Sequence, residues 1–528
     1  MGVIFTHKIK YDTSPVLTIC GSLLKFENKA KFLGMILDKR LTWNEHVKYI
    51  EDRCKARLNL MRSLSGTNWG ASKESLLTVY EALVRPLLQY GAEAMDSASQ
   101  AAKTRLDTIQ SKALRIACGA MHGTAVAALQ NECGEPPLKL GRLQQQLKYL
   151  LKVNLEANHP SKCVFEDHWT NHYGKSKLNN TSLFNKLVEY NNEETIAAIK
   201  ENSGPPWLSK PINTDTSLTK VIMKANPSHC SKAIALDTIS RYNDCLAIYT
   251  DGSKSEEGRT AASFVIPMAK ESKNVRLSDK ISVYTAELTA IKLSLEWVME
   301  HEAEEWSRNG NRSIAIFSDS LSSVESIARM SSNSRPNLIK EVFDLGNKIK
   351  NNITVIWVPS HVGIAGNEEA DKLAKAALQN IDVDIKIKRE RTELFGDISN
   401  VILEKWQDLF NASSTGTQNR LVAPIVTFKS KYSDKSNRSK EVLISRLRLG
   451  KCRLNWYLFK MKRHNTGMCD VCNVKETIEH HLLYCKGNDT PQALDIESKR
   501  LGLTLSLQTA LNEPNLRDII FRHNTRHL

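Results

Sequence analysis

From residue 245 onward the chain alternates short apolar runs with longer amphipathic ones. "CLAIYTDGS", "RTAASFVIP" and "VRLSDKISV" predict strands. "YTAELTAIKLSLEWVMEH" then sets Leu288, Ile291, Leu295 and Val298 on one helical face. "SIAIFSDS" predicts a further strand and "LSSVESIARM" and "PNLIKEVFDLGNKIK" helices, while "ITVIWVPSH", apolar on both faces, predicts a buried central strand. "NEEADKLAKAAL" closes the series as a helix, with Asn367 as its expected N-cap and acids in the first turn. Strands alternating with helices over residues 243–380 predict an α/β domain.

The pattern differs on either side. Residues 1–40 read as strand-like runs and turns, and from Trp43 the period becomes helical: Val47, Ile50, Cys54 and Leu58, then Leu76, Val79 and Leu83. This mostly helical region extends over 1–155. Residues 156–242, rich in Asn and Lys and broken by "SGPPW", read as a polar connector. Beyond the α/β domain the expectation is a helical linker over 381–428, a basic, cysteine-bearing segment over 429–490 and a C-terminal tail over 491–528. No internal repeat is present.

The chain has 528 residues, room for about three or four domains. Its 73 Lys and Arg exceed its 58 Asp and Glu, for a net charge of +15, which favours an acidic partner such as nucleic acid. Eleven scattered Cys do not form the dense framework of a small secreted domain. No run is long and apolar enough for a membrane span, and the first residues lack the organisation of a signal peptide. Gly2 and Thr6 fit a loose myristoylation pattern that we read as chance. The expected location is intracellular, in nucleus or cytoplasm, without secretion or a membrane partner.

Four acids fall at the ends of the predicted elements. Asp251 and Asp319 end strands, Glu287 lies early on the first long helix, and Asp371 lies in the first turns of the last. A lone Asp before Gly is ordinarily a turn residue. Four carboxylates gathered at one sheet edge are another matter, since like charges 4 Å apart repel by about 4 kcal/mol at an effective dielectric of 20. Such a set needs cations, and hard oxygen ligands suit Mg²⁺ or Mn²⁺.

"YTDGS", "YTAEL", "FSDS" and "WVPSHVGIAGNEEADKLAKAA", in this order and spacing, resemble the type 1 ribonuclease H domain. The resemblance implies a mixed five-stranded sheet with flanking helices, and endonucleolytic hydrolysis of the RNA strand of an RNA–DNA hybrid with two metal ions per active site. Asp251 would bridge both cations, with Glu287 and Asp319 on one side and Asp371 on the other. His361 would assist proton transfer or product release. Backbone near Gly252 and Ser253 would read the 2′-hydroxyl that separates RNA from DNA, and Asn367 would hold a phosphate. Between Met330 and Ile353 there is room for one helix and no Lys/Arg-rich protrusion of the bacterial kind, so grip on the hybrid is expected from elsewhere in the chain.

Residues 429–463 hold twelve Lys or Arg against two acids. Tyr432, Trp456, Tyr457 and Phe459 are interleaved among them, which suits phosphate neutralisation with base stacking. Lys440, Arg446, Arg448, Lys451, Arg453 and Trp456 are the expected nucleic-acid contacts. Directly after comes "CDVCNVKETIEHHLLYC", in which Cys469, Cys472, His480 and Cys485 make a C-x2-C-x7-H-x4-C set suited to tetrahedral Zn²⁺. His481 is an alternative to His480.

The flanks extend the resemblance. "FLGMILDKRLTWNEHV" and "NWGASKESLLTVYEALVRPLLQYGAEA" are similar to the thumb end of a non-LTR (LINE-type) retrotransposon reverse transcriptase, and "RLRLGKCRLNWYL" with the cysteine cluster to the tail of such polyproteins. The chain is therefore expected to be the C-terminal part of such a polyprotein: a thumb-like helical region, a ribonuclease H domain and a basic zinc-binding tail. A full-length reverse transcriptase of that kind is an implied partner. No Asp-Asp dipeptide occurs anywhere, so no polymerase activity is expected. The alternative to an active nuclease is a catalytically inactive nucleic-acid-binding remnant; a transposase or integrase on the same fold is disfavoured by Glu287 on the first helix and by the "PSH…GNEEAD" turn. Residues 1–150, without the rest of a polymerase to pack on, are expected to expose apolar surface.

Overall fold

The computed structural model describes residues 2–6, 16–19, 21–95, 98–155, 159–160, 212–222, 227–301, 313–332, 334–435 and 437–524. They form two compact units, residues 150–397 and residues 1–149 together with 398–528. Most of the polar connector, including "SGPPW", lies outside the described residues.

The first unit is built on one sheet. Its strands are β1 (Asn213–Asp215), β2 (Leu246–Lys254), β3 (Thr260–Ile266), β4 (Glu271–Leu277), β5 (Ile314–Ser318) and β6 (Ile353–Trp357). They lie in the order β1-β6-β5-β2-β3-β4. Contacts among β1, β6, β5 and β2 are parallel, and β2-β3-β4 is an antiparallel meander. The expected five strands thus become six. The added β1 is a three-residue polar edge strand, Asn-Thr-Asp, paired with Thr354–Ile356. So short a polar piece carries no apolar alternation to reveal it.

The longer helices lying wholly within this unit are α1 (Ser228–Ser240), α2 (Val283–Glu300), α3 (Leu321–Ala328), α4 (Pro336–Lys348) and α5 (Ala365–Ala377). Side chains alternate across the sheet, as a strand's two-residue period requires. Ile248, Ile316 and Val355 meet Leu288, Ile291 and Leu295 of α2, with Val324 of α3 and Val342 of α4, on one face. Tyr249, Phe317 and Ile356 meet Ala235 of α1 and Ala370 of α5 on the other. With both faces covered, the central strands are mostly apolar on both sides up to the acidic edge.

This unit reaches past 243–380 on both sides. Before it, β1 and α1 join the sheet and its second core. After it, Asp384 and Ile385 donate backbone N–H bonds to the Arg276 carbonyl (2.8 and 3.1 Å), and the Asp384 carboxylate accepts from Arg276 N at 2.7 Å. Glu393 then ties down the start of α2: it accepts from Ser282 N (2.8 Å) and Thr285 Oγ1 (3.0 Å), and pairs with the buried Arg335 at 2.7 Å.

The second unit is mainly helical. Val47, Ile50, Cys54 and Leu58 of helix Asn44–Ser63 are buried with Leu76, Tyr80, Leu106 and Leu114, and the same core takes in Leu449 from the far end of the sequence. The thumb-like region and the basic segment therefore belong to one compact unit rather than two. Glu132 binds them: wholly buried, it meets Lys73 Nζ at 3.2 Å and Arg448 Nε at 3.0 Å. Exposed apolar side chains do collect in the N-terminal strands and turns, with Leu23, Phe32 and Leu33 at 72%, 64% and 74% exposure. Among the described residues no helix is long and apolar enough to cross a membrane.

Candidate active site and metal centres

Asp251 is the sixth residue of β2 and is buried, opposite Ser263 of β3 in the ladder. Asp319 follows the last residue of the adjacent parallel strand β5 and so lies beside Asp251, which was expected to end its strand but is inside β2, whose pairing with β3 continues to Lys254. Glu287 comes from the second turn of α2, whose start is fixed by Ser282 accepting the Thr285 N–H at 3.2 Å. The backbone of β2 can approach that helix because residue 252 is glycine. A Cβ on Gly252 would stand 2.4 Å from Glu287 N and 2.8 Å from the Ala286 carbonyl carbon. Asp251, Glu287 and Asp319 thereby each offer a carboxylate oxygen, all within 4.8 Å of one another.

Asp371 is placed from the opposite side. Ser263, the ladder partner of Asp251, donates its hydroxyl to the Ala370 carbonyl at 2.7 Å and so fastens α5 one residue before Asp371. Gly366 lets α5 settle on the Tyr249 ring, which a Cβ there would meet at 2.3 Å. Asp371 pairs with Lys375 at 2.7 Å and groups with His361 and Glu368, ligand atoms again within 4.8 Å. His361 is exposed on a turn with φ +55°, and Glu368 Oε1 braces that turn by accepting the Gly363 N–H at 3.1 Å. Neither Ser263 nor Glu368 was expected from sequence. Glu368 could have been found from its position one helical turn before Asp371; nothing local marks Ser263.

The electrostatics follow from burial. Desolvation, with Asp319 and Asp371 close by, pushes the Asp251 carboxyl up to about 7. Burial and the neighbouring Asp251 and Asp319 hold Glu287 well above the ordinary carboxylate range. Burial also raises Asp319, although the Asn367 amide opposes it. Glu287 Oε2 is buried with no hydrogen-bond partner among the described residues. Crowded, desolvated oxygen donors with an orphaned acceptor are a donor set that fits hard divalent cations.

Asn367 needs correction on two counts. Helix α5 begins at Ala365, with Ile364 at the N-cap position, so Asn367 is inside the first turn rather than capping it. It is buried, and its Nδ2 lies 3.4 Å from Asp319 Oδ2, which places it on a carboxylate rather than on open surface where a phosphate would come. Ser253 lies half-buried in β2 opposite Ala261.

The cysteine cluster closes as its spacing predicts. Cys469, Cys472, His480 and Cys485 bring their donor atoms within 4.8 Å of one another. Cys469 N–H bonds the Val474 carbonyl at 2.7 Å, folding the C-x2-C turn, and Lys486 N donates to Cys472 Sγ at 3.3 Å, which holds that thiol below its ordinary value. His480 Nε2 is buried with no partner among the described residues, whereas His481 Nε2 is engaged by Asn524 Oδ1 at 2.5 Å. Of the two adjacent histidines, it is His480 that groups with the three cysteines. Three thiols with an unengaged imidazole nitrogen fit a soft-to-borderline ion such as Zn²⁺.

Three expected nucleic-acid contacts are used inside the protein. Arg448 is 2% exposed and bonds Glu132 and the Leu511 carbonyl (3.1 Å). Arg446 is buried, with Nε donating to the Gly119 carbonyl at 2.9 Å. Lys440 pairs with Asp434 at 3.0 Å and with Asp518. Tyr432 is buried as well. What stays at the surface is Arg453, with Trp456 stacked on Phe459 (ring centroids 5.7 Å apart, planes at 18°) and Lys460 and Lys475 over the Trp456 ring at 5.1 and 4.8 Å. Lys451 reaches the Gly123 carbonyl and lies 5.5 Å over the Tyr457 ring.

Comparison with known proteins agrees with this geometry. The family model described as RNase H matches residues 243–379. The RNA-directed DNA polymerase from mobile element jockey of Drosophila funebris is 30% identical over 119 residues, 22% of this chain and 13% of that protein. The probable RNA-directed DNA polymerase from transposon X-element of Drosophila melanogaster is 32% identical over 118 residues, again 22% and 13%. A putative 115 kDa protein in the type-1 retrotransposable element R1DM of the same species is 26% identical over 152 residues, 28% of this chain and 15% of its own length. The matches thus span only about a seventh of these relatives. A sheet edge that gathers three acids, with Asp371 placed opposite them on α5, in a chain similar to LINE-type retrotransposon polymerases, is the setting in which residues 243–379 match the ribonuclease H family.

Proposed function

We propose that the chain hydrolyses the RNA strand of RNA–DNA hybrids, cutting internal phosphodiesters, with Asp251, Glu287, Asp319 and Asp371 holding two divalent cations, Mg²⁺ or Mn²⁺. The observation that carries this reading is the convergence of Asp251, Glu287 and Asp319 within 4.8 Å, with Glu287 Oε2 buried and unpartnered. When bound, such a metal pair activates a water and stabilises the leaving 3′ oxygen. The chain's own residues do the rest. Asp251 sits between the Glu287–Asp319 side and the Asp371 side. Asn367 orients Asp319. His361, exposed beside Asp371, moves a proton at the leaving oxygen or helps product depart. The β2 backbone at Gly252 and Ser253 reads the 2′-hydroxyl. The test is incubation of the full chain with end-labelled hybrid in Mg²⁺, alongside double-stranded RNA and DNA. Internal cuts in RNA of the hybrid alone, stopped by EDTA, are the expected result; binding without cutting would mark a nucleic-acid-binding remnant instead.

Gly252→Ala provides a second test. The new Cβ must push β2 from α2, since the atoms it meets are backbone. A displacement of about 1 Å at a catalytic group can cost about a hundredfold, so cleavage should fall ten- to hundredfold while circular dichroism stays that of the wild type. Wild-type cleavage rates in Gly252→Ala would show that Glu287 needs no such placement.

The Cys469–Cys472–His480–Cys485 set is proposed to hold one structural Zn²⁺, and the Trp456–Phe459 surface beside it, with Arg453, Lys460 and Lys475, to grip single-stranded or frayed nucleic acid by stacking and charge. His480→Ala should lose the zinc measured by atomic absorption, and His481→Ala should retain it. Equal zinc in all three proteins would remove His480 from the site. Any enzyme that copies RNA into DNA leaves the hybrid this activity consumes, and a retrotransposon reverse transcriptase is the proposed source.

A further inference from the structure

The acidic site must receive a polyanion, and so needs cations at its rim. Lys375 is already paired with Asp371 at 2.7 Å. Helix α1 supplies another. It precedes residues 243–379 and packs on the sheet beside α5 through Ala235, with Ile234 and Ile239 against the same core. That packing lays Lys232 across the His361 turn. Its Nζ lies 3.2 Å, and its Cδ and Cε 3.7 Å, from the point where a Cβ on Gly363 would stand.

Several features set this lysine apart from a solvated surface charge. It is half-buried, with its stem lying along the turn rather than in water. It makes no ion pair among the described residues. Glu368, the α5 acid that braces the turn, has Oε1 engaged by the Gly363 N–H at 3.1 Å. Glycine at 363 is required twice over: its φ is +86°, and a side chain would displace the lysine. An ammonium pre-placed at Gly363, which follows His361 by two residues, and lacking a counterion among the described residues, is suited to a phosphate that arrives with substrate.

We propose that Lys232 is a substrate-binding residue, contacting a backbone phosphate of the hybrid beside the His361 turn, so that α1 completes the binding face of the ribonuclease H unit. The inference rests on the hybrid-cleaving reading above. It also supplies part of the grip that the basic protrusion, missing between Met330 and Ile353, would otherwise give.

The test uses the full chain with a fluorescein-labelled RNA–DNA hybrid, measuring Kd by anisotropy in Ca²⁺ over a salt series and steady-state cleavage in Mg²⁺. Lys232→Met keeps the stem over Gly363 and removes the charge; Lys232→Arg keeps the charge. For Lys232→Met the expected result is a three- to tenfold rise in Kd at low salt. The slope of log Kd against log salt should drop by roughly 0.7 to 0.9, the value of one phosphate contact. The cleavage loss should fall on KM rather than kcat, and Lys232→Arg should restore most of it. Unchanged Kd and slope in Lys232→Met would overturn the proposal. So would a lowered melting temperature with kcat falling in step, which marks a packing role. If the wild type binds hybrid and never cuts, the nuclease reading fails while the salt slope still decides Lys232. If it shows no salt-sensitive binding, both fail.

Discussion

Asp319→Asn should abolish hybrid cleavage, by at least a thousandfold in kcat, while leaving the protein no less stable. Three decades correspond to about 4 kcal/mol of barrier. The substitution is nearly isosteric and keeps an oxygen to accept the Asn367 amide, now 3.4 Å from Asp319 Oδ2. What it removes is one negative charge from three carboxylates gathered within 4.8 Å. Burial already disfavours ionised Asp319, and Asp319 in turn disfavours ionisation of Asp251 and Glu287. Without metal, relief of this repulsion should hold the melting temperature at or above the wild-type value. With metal, the sign should reverse: Mg²⁺ stabilises whichever protein binds it, by mass action, so its upward shift of melting temperature should shrink in Asp319→Asn. Single-turnover cleavage and thermal melts with Mg²⁺ or EDTA read both effects. Residual cleavage within tenfold of the wild type would remove Asp319 from the reaction, and an unchanged Mg²⁺ shift would remove it from metal binding.

How far the site could be read from sequence depended on how local its determinants are. "YTDGS" misleads in part: Asp-Gly reads as a strand end, yet β2 continues to Lys254 because Gly252, Ser253 and Lys254 stay paired with β3. "YTAEL" and "FSDS", by contrast, place an acid early on a helix and just past a strand, as their periods predict. The buried face of Val47, Ile50, Cys54 and Leu58 was readable for the same reason. Determinants that come from distant chain were not. The Asn213–Asp215 strand has meaning only beside β6, and the brace from Ser263 to Ala370 only once β3 and α5 meet. His480 and His481 are adjacent and chemically alike; only the fold, which sets His480 among the three cysteines and turns His481 Nε2 to Asn524, tells them apart. Charge density misled most. A run holding Arg446 and Arg448 reads as a surface for phosphate, because nothing nearby in sequence neutralises it. Their partners, the Gly119 carbonyl and Glu132, lie more than three hundred residues earlier.

Glu132→Gln should destabilise the unit formed by residues 1–149 and 398–528 by about 3–5 kcal/mol, the usual cost of breaking a buried ion pair from one side. Glu132 and Lys73 have 0% side-chain exposure and Arg448 has 2%. The carboxylate faces both cations and also accepts from Asn419 Nδ2 at 3.3 Å. Glu441 is not free to replace it, since Oε2 takes the Lys73 backbone N–H at 2.6 Å and Arg438 Nη1 at 2.8 Å. An amide at 132 would leave two buried cations facing one neutral group. Replacing all three partners by apolar residues of similar size, Lys73→Met with Glu132→Leu and Arg448→Met, should recover much of the loss, because the desolvation cost of the charges goes with them. Urea unfolding of the three proteins decides this: a Glu132→Gln transition within 1 kcal/mol of the wild type would mean the cluster is relaxed or hydrated. The same series separates structure from recognition at Arg448. If this arginine serves only the fold, the triply substituted protein, once folded, should bind hybrid with the wild-type salt slope. An Arg453→Ala protein, changed at the surface, should lose slope without losing stability.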